Sequence, residues 1–143
     1  PVSPGQARDT AVAKFAAQLL TRWGVVFRDV VARETLAPPW RELLGTLRRM
    51  EARGEIRGGR FVAGFVGEQF ARPEAVDLLR GVRRNGPAPG PLSVPAADPL
   101  NLTGIVLPGP RISALSGGLA ELLPAAAPTA VGADASGTTA HTA

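Results

Sequence analysis

Fifteen arginines against a single lysine, Lys14, carry the cationic chemistry of this 143-residue chain. They are unevenly spread: residues 1–40 hold a net charge of about +2, residues 41–84 about +4 and residues 85–143 about −2. Arg41, Arg48, Arg49, Arg57 and Arg60 fall inside one short stretch, WRELLGTLRRMEARGEIRGGR. A guanidinium is a planar donor fork that matches the oxygens of a phosphate, so this cluster points to a polyanion. DNA is the expected partner, single-stranded or duplex, engaged through phosphates and therefore with little sequence preference. The bland alternative is a set of solvated arginines on an ordinary helix face.

Acid–base chemistry has one candidate. Asp98 is a carboxylate in an irregular, proline-flanked setting, AADPLN, where a loop could aim it at a ligand or a water. Asp before Pro is equally a common turn start. Gln69 and Asn101 carry amides able to hydrogen-bond an extruded base. Most other chemistries are excluded. Cysteine is absent and the one histidine is His141, so no metal site is expected. Lys14 has no glycine-rich approach, so a GxxxxGK[ST] phosphate loop is missing, as are GxSxG and HExxH. Neither ATP hydrolysis nor a bound cofactor is expected of this chain by itself.

The arginines need elements to hold them. Trp40, Leu43, Leu44, Leu47 and Met50 recur at helical spacing, which predicts a helix with Trp40 in its apolar stripe and Arg41, Arg48 and Arg49 outside it. Pro38 and Pro39 suit its start and Gly54 its stop. Gly58 and Gly59 read as a two-residue hairpin turn between strands at 55–58 and 60–66, with a third strand at 68–71. Upstream, the pattern predicts helix one over 8–23, with Asp9 as a possible cap, and helix two over 26–34. Pro73 starts a fourth helix ending near residue 84, with Ala75, Val76, Leu79 and Val82 turned to the core. Helices followed by a hairpin give an α+β winged helix over residues 8–84, a helix-turn-helix with a β-hairpin wing, whose five arginines are expected to share one outward surface.

Residues 1–7 read as a frayed N-terminus, and NGPAPGP makes 85–91 a linker. Residues 92–112 hold two β-suited runs, 92–95 and 103–107, that need a partner sheet and read as part of a barrel-like element. Residues 113–143 form a low-complexity tail, disordered over 124–143. No run of about 18 apolar residues occurs, so no membrane partner is expected and the cytoplasm is the default. The start PVSPGQARD has neither Met nor a signal pattern, which reads as a piece of a longer polypeptide.

Three blocks, RWGVVFRDVVARE, APPWRELLGTLRRMEARGEIRGGRFVAGFVGEQFARPEAVDLLR and AADPLNLTGIVLPGPRI, together resemble the C-terminal region of the Lhr (large helicase-related) family, bacterial ATP-dependent superfamily-two DNA helicases. The resemblance covers about residues 15–112. It implies a motor upstream that uses ATP and Mg, 3′ to 5′ translocation on single-stranded DNA, and a link to DNA repair. It further implies C-terminal winged helices with a β-barrel element, similar to winged-helix DNA glycosylases, some members being credited with uracil removal. Asp98 in ADPLN and Gln69 in GEQF fall in matching blocks without an assigned catalytic duty. After Arg111 the family pattern calls for a further glycine-led strand, where this chain has the low-complexity run ISALSGGLAELLPAAAPTAVG instead, which leaves the barrel incomplete. The readings carried forward are a DNA-binding accessory module that docks with helicase domains of the same polypeptide, a uracil-excising region, and an oligomerisation or docking module using residues 92–107.

Overall fold

The computed structural model describes residues 3–86, 89–99 and 101–122. Helix α1 spans Pro4–Trp23. It begins four residues before the expected start, so residues 3–7 are not frayed. Pro4 in the first turn loses no helical hydrogen bond, and the Ser3 hydroxyl accepts from the Gln6 amide; Asp9 lies inside the helix and caps nothing. Val12, Ala16, Leu19 and Leu20 are buried, and Gly24 closes the helix at φ 70°.

The expected second helix divides. Val25–Val26 forms strand β1, and only Arg28–Val31 is helical as α2. The β-branched pair is better used in the sheet, where Val26 is fully buried. Helix α3, Trp40–Ala52, follows the expected spacing: Leu43, Thr46, Leu47 and Met50 are buried, with Trp40 and Leu44 packed half-buried against the same core. Gly54, at φ 76°, follows it.

Strands β2, Arg57–Gly59, and β3, Gln69–Ala71, complete an antiparallel sheet of order β1-β3-β2. The order helix, strand, helix, helix, strand, wing, strand makes this a winged helix of the α+β class, packed on the core shared by α1 and α3.

The wing differs from its expected form. Gly58 and Gly59 are not a turn but sit in the ladder, opposite Phe70 and Gln69, and residues 60–66 form a loop rather than a strand. The glycines serve close approach instead. A Cβ on Gly58 would lie 2.2 Å from the Glu51 carboxylate, which accepts the Gly58 amide at 3.1 Å, and one on Gly59 would meet the Phe61 ring at 3.0 Å. Turning falls to Gly64 and Gly67, at φ 84° and 95°.

Helix α4, Pro73–Asn85, starts where expected, but none of its residues is buried. Leu79 and Val82 therefore do not face the core; both are exposed, as is Leu78. Its root is held by the Arg72 amide on the Gly24 carbonyl at 3.0 Å.

Beyond α4, β4 (Leu92–Pro95) pairs antiparallel with β5 (Leu119–Leu122). Two expectations change here. Residues 103–107 are a tight loop, because the Leu102 carbonyl accepts from the amides of Ile105, Val106 and Leu107 and the local chirality is turned by Gly104 at φ 70°. The partner strand comes instead from the stretch read as low-complexity tail: Gly117, at φ 66°, and Gly118 lead into β5, so a glycine-led strand is present after all. Among the described residues these two strands form a pair rather than a barrel, and the disorder expected over 124–143 lies outside them. No helix among the described residues is long and apolar enough to cross a membrane.

Candidate nucleic-acid interface

Helix α3 sets the geometry of the arginines. At about 100° per residue, Arg41 and Arg48 lie within about 20° of one another on the side away from the core, whereas Arg49 is turned about 100° from Arg48. Arg49 accordingly folds back on its own helix, its Nη2 donating to the Thr46 hydroxyl at 2.9 Å. It shares the flank of Glu42, which binds Arg8 of α1 at 2.9 and 3.0 Å. The opposite flank carries Arg48 and Glu51 and faces the wing.

Between α3 and the wing runs a groove of about 530 Å³, lined by Glu51, Gly58, Gly59, Arg60, Gly67 and Glu68 among others. Its glycines leave backbone accessible from outside. Arg60 lines it with its guanidinium 3.5 Å from the Phe65 carbonyl. Arg48 reaches it through Glu68, with Nε and Nη2 donating to the two carboxylate oxygens at 3.0 and 2.6 Å. That bidentate hydrogen bonding, more than the charge alone, holds the Glu68 carboxyl below the usual carboxylate range and raises Arg48. Arg57 is not part of the groove: Gly58 turns toward α3, so by strand alternation Arg57 projects from the other face of β2. The five arginines thus do not form one surface. Arg48 and Arg60 share the α3–wing side and Arg41 lies about two turns away on the same outward face of α3 as Arg48, while Arg49 and Arg57 lie elsewhere.

Gln69 is removed from any base-reading role. It is fully buried, its Oε1 accepts the amides of Phe61 and Val62, and its Nε2 donates to the Val62 carbonyl, all at 2.8 Å. It is the internal clamp of the wing.

Asp98 lines a second cleft, of about 510 Å³, where the winged helix meets the following segment. One wall is Arg22, Trp23, Arg33 and Glu34, and the other includes Asn101 and Arg111. Glu34 fixes the first wall, accepting from Arg22 at 3.1 Å and from the Trp23 indole at 3.0 Å. Asn101 is occupied: its Nδ2 donates to the Ala96 carbonyl and its Oδ1 accepts from the Thr103 amide, so its amide shapes the loop.

A family model described as "Large helicase-related protein, winged-helix domain" matches residues 5–90, the span holding α1 to α4. The chain belongs to the Lhr winged-helix family. It is also 34% identical over 98 residues to "Lhr helicase/uracil glycosylase" of Escherichia coli (strain K12), a stretch that covers 66% of this chain and 6% of that protein. The Lhr winged-helix domain here therefore corresponds to a small part of a far longer relative.

Sequence reasoning about this Lhr domain missed the acidic half of its site. Glu51 and Glu68 were legible only as charges among charges, since their roles depend on α3 meeting the wing. The second cleft was missed as well, because Arg22, Glu34 and Arg111 converge only once the segment after β4 folds back. Its one readable signal was Asp98 in its proline-flanked turn.

Proposed function

We propose that this Lhr winged-helix domain is a DNA-binding accessory module of an ATP-dependent helicase that acts in DNA repair. The observation that carries the reading is the α3–wing groove, where Arg60, accessible glycine backbone and the Arg48 side of α3 stand together. Phosphate contacts of this type give binding to single-stranded or duplex DNA with little sequence preference. Arg41→Ala combined with Arg60→Ala should weaken binding and flatten the slope of log affinity against log salt by between one and two units, about 0.9 per duplex phosphate released. Fluorescence anisotropy across a salt series reads this, and an unchanged slope would reject the face. ATP and Mg would act in other domains of such a polypeptide, because the one lysine here, Lys14, is exposed along α1 without a phosphate loop.

A second reading is favoured by one observation: Asp98 lines a cleft large enough for a nucleotide, and the E. coli relative is named a uracil glycosylase. In that reading Asp98 activates water beside an extruded base. Uracil-containing DNA with wild-type and Asp98→Ala protein is the test; excision that survives in the variant removes Asp98 from the chemistry.

A further inference from the structure

Arg48 and Glu68 form a bidentate pair like Arg8 and Glu42, but theirs stands at the edge of the α3–wing groove, which Glu68 lines. One edge of the guanidinium, Nε and Nη2, is engaged at 3.0 and 2.6 Å by the two oxygens of one carboxylate. A phosphodiester would present two oxygens to the same fork. The pair is open to competition, since the side chains are 59% and 46% exposed. Yet the backbone that carries Glu68 is fixed: Gly67 turns immediately before it, and Gln69 immediately after it is fully buried and tied to the wing. The carboxylate can swing aside while its backbone stays at the groove.

We propose that Glu68 is a built-in phosphate surrogate, which holds Arg48 in its binding geometry and is exchanged for a DNA phosphate when the α3–wing face docks. This rests on the DNA-binding reading of that face and adds the residue that sets its affinity. Arg41, which lies in phase with Arg48 and has no ion pair among the described residues, and Arg60 make the first contacts. Arg48 follows by exchange. After the exchange Glu68 remains as a negative charge beside the polyanion, so every docking event works against it.

The test uses the full chain with labelled mixed-sequence duplex and single-stranded oligonucleotides across a salt series. Glu68→Gln should tighten binding about two- to fivefold, the range set by the strength of an exposed ion pair. It should also steepen the salt slope by up to about 0.9 on duplex and 0.7 on single strands, because in the wild type the freed Glu68 carboxylate offsets the counterion released by the Arg48–phosphate contact. Arg48→Ala should cost more affinity in the Glu68→Gln background than in the wild type, and that coupling is what a double-mutant cycle reads. Unchanged or weaker binding by Glu68→Gln, with an unaltered melting temperature, overturns the surrogate. A lowered melting temperature with weaker binding overturns it too, and assigns the pair to anchoring the wing. If Arg41→Ala with Arg60→Ala weakens binding while Glu68→Gln does nothing, only the surrogate fails; if that double variant has no effect, the DNA-binding face fails and the surrogate falls with it.

Discussion

Single side chains settle the shape of the wing and the join between its helices. Gln69 satisfies three backbone groups of the loop from a fully buried position, so its removal leaves Phe61, Val62 and the Val62 carbonyl without partners. Gln69→Ala should destabilise the fold by about 2–4 kcal/mol, combining lost hydrogen bonds with the desolvation cost of orphaned groups. Chemical denaturation measures that, and amide exchange should show the loss at Phe61 and Val62. The Arg8–Glu42 pair joins α1 to α3 and can be read through pH. Hydrogen bonding to Arg8, with the attraction of its charge, holds the Glu42 carboxyl below its usual value. A depressed folded value means stabilisation that is present above the unfolded carboxylate range and is lost as pH falls through the folded value. The melting temperatures of wild type and Glu42→Gln should therefore differ at neutral pH and converge in acid, and a constant gap would contradict the assignment.

Elements differ in how much of themselves they bury, and this separates what the sequence could reveal from what it could not. Helix α3 was legible because its stripe is long, periodic and truly buried, with Leu43 and Leu47 fully inside. Helix α4 carries an equally clear stripe, yet its Leu79 is 44% and its Val82 56% exposed, as is the neighbouring Leu78 at 72%, and nothing in the described residues covers them. Periodicity announces an apolar face but not the presence of a partner. Leu47→Ala should thus cost about 2–5 kcal/mol, whereas Leu78→Ala should stay within about 0.5 kcal/mol. Paired urea titrations distinguish the two, and similar losses would mean that α4 is packed after all. The wing was misread for a related reason. A glycine pair signals a tight turn only when no neighbour needs the space, and here Glu51 and Phe61 fill it. Strand β5 was hidden by a composition poor in large residues, although Ala120 is fully buried in its pair with Val94.

The molecule presents two surfaces with separate supports. The α3–wing groove hangs on the sheet and on Gln69, while the cleft at Asp98 hangs on the loop after β4. Gly104 is the point at which the second can be disturbed without the first. Its φ is 70°, and an added Cβ would stand 2.7 Å from the Arg111 amide nitrogen, which is backbone and cannot swing aside. Gly104→Ala combines a left-handed strain with a collision, together worth about 1–3 kcal/mol locally, and must push Arg111 off the cleft wall. Amide exchange at Ile105, Val106 and Leu107 should accelerate in this variant, and any uracil excision should fall with it. Salt-dependent DNA binding should keep its wild-type slope, because Arg41, Arg48 and Arg60 are supported elsewhere. A slope that changed in step with the exchange rates would mean that the two surfaces act as one, with DNA running from the wing across α2 to the cleft.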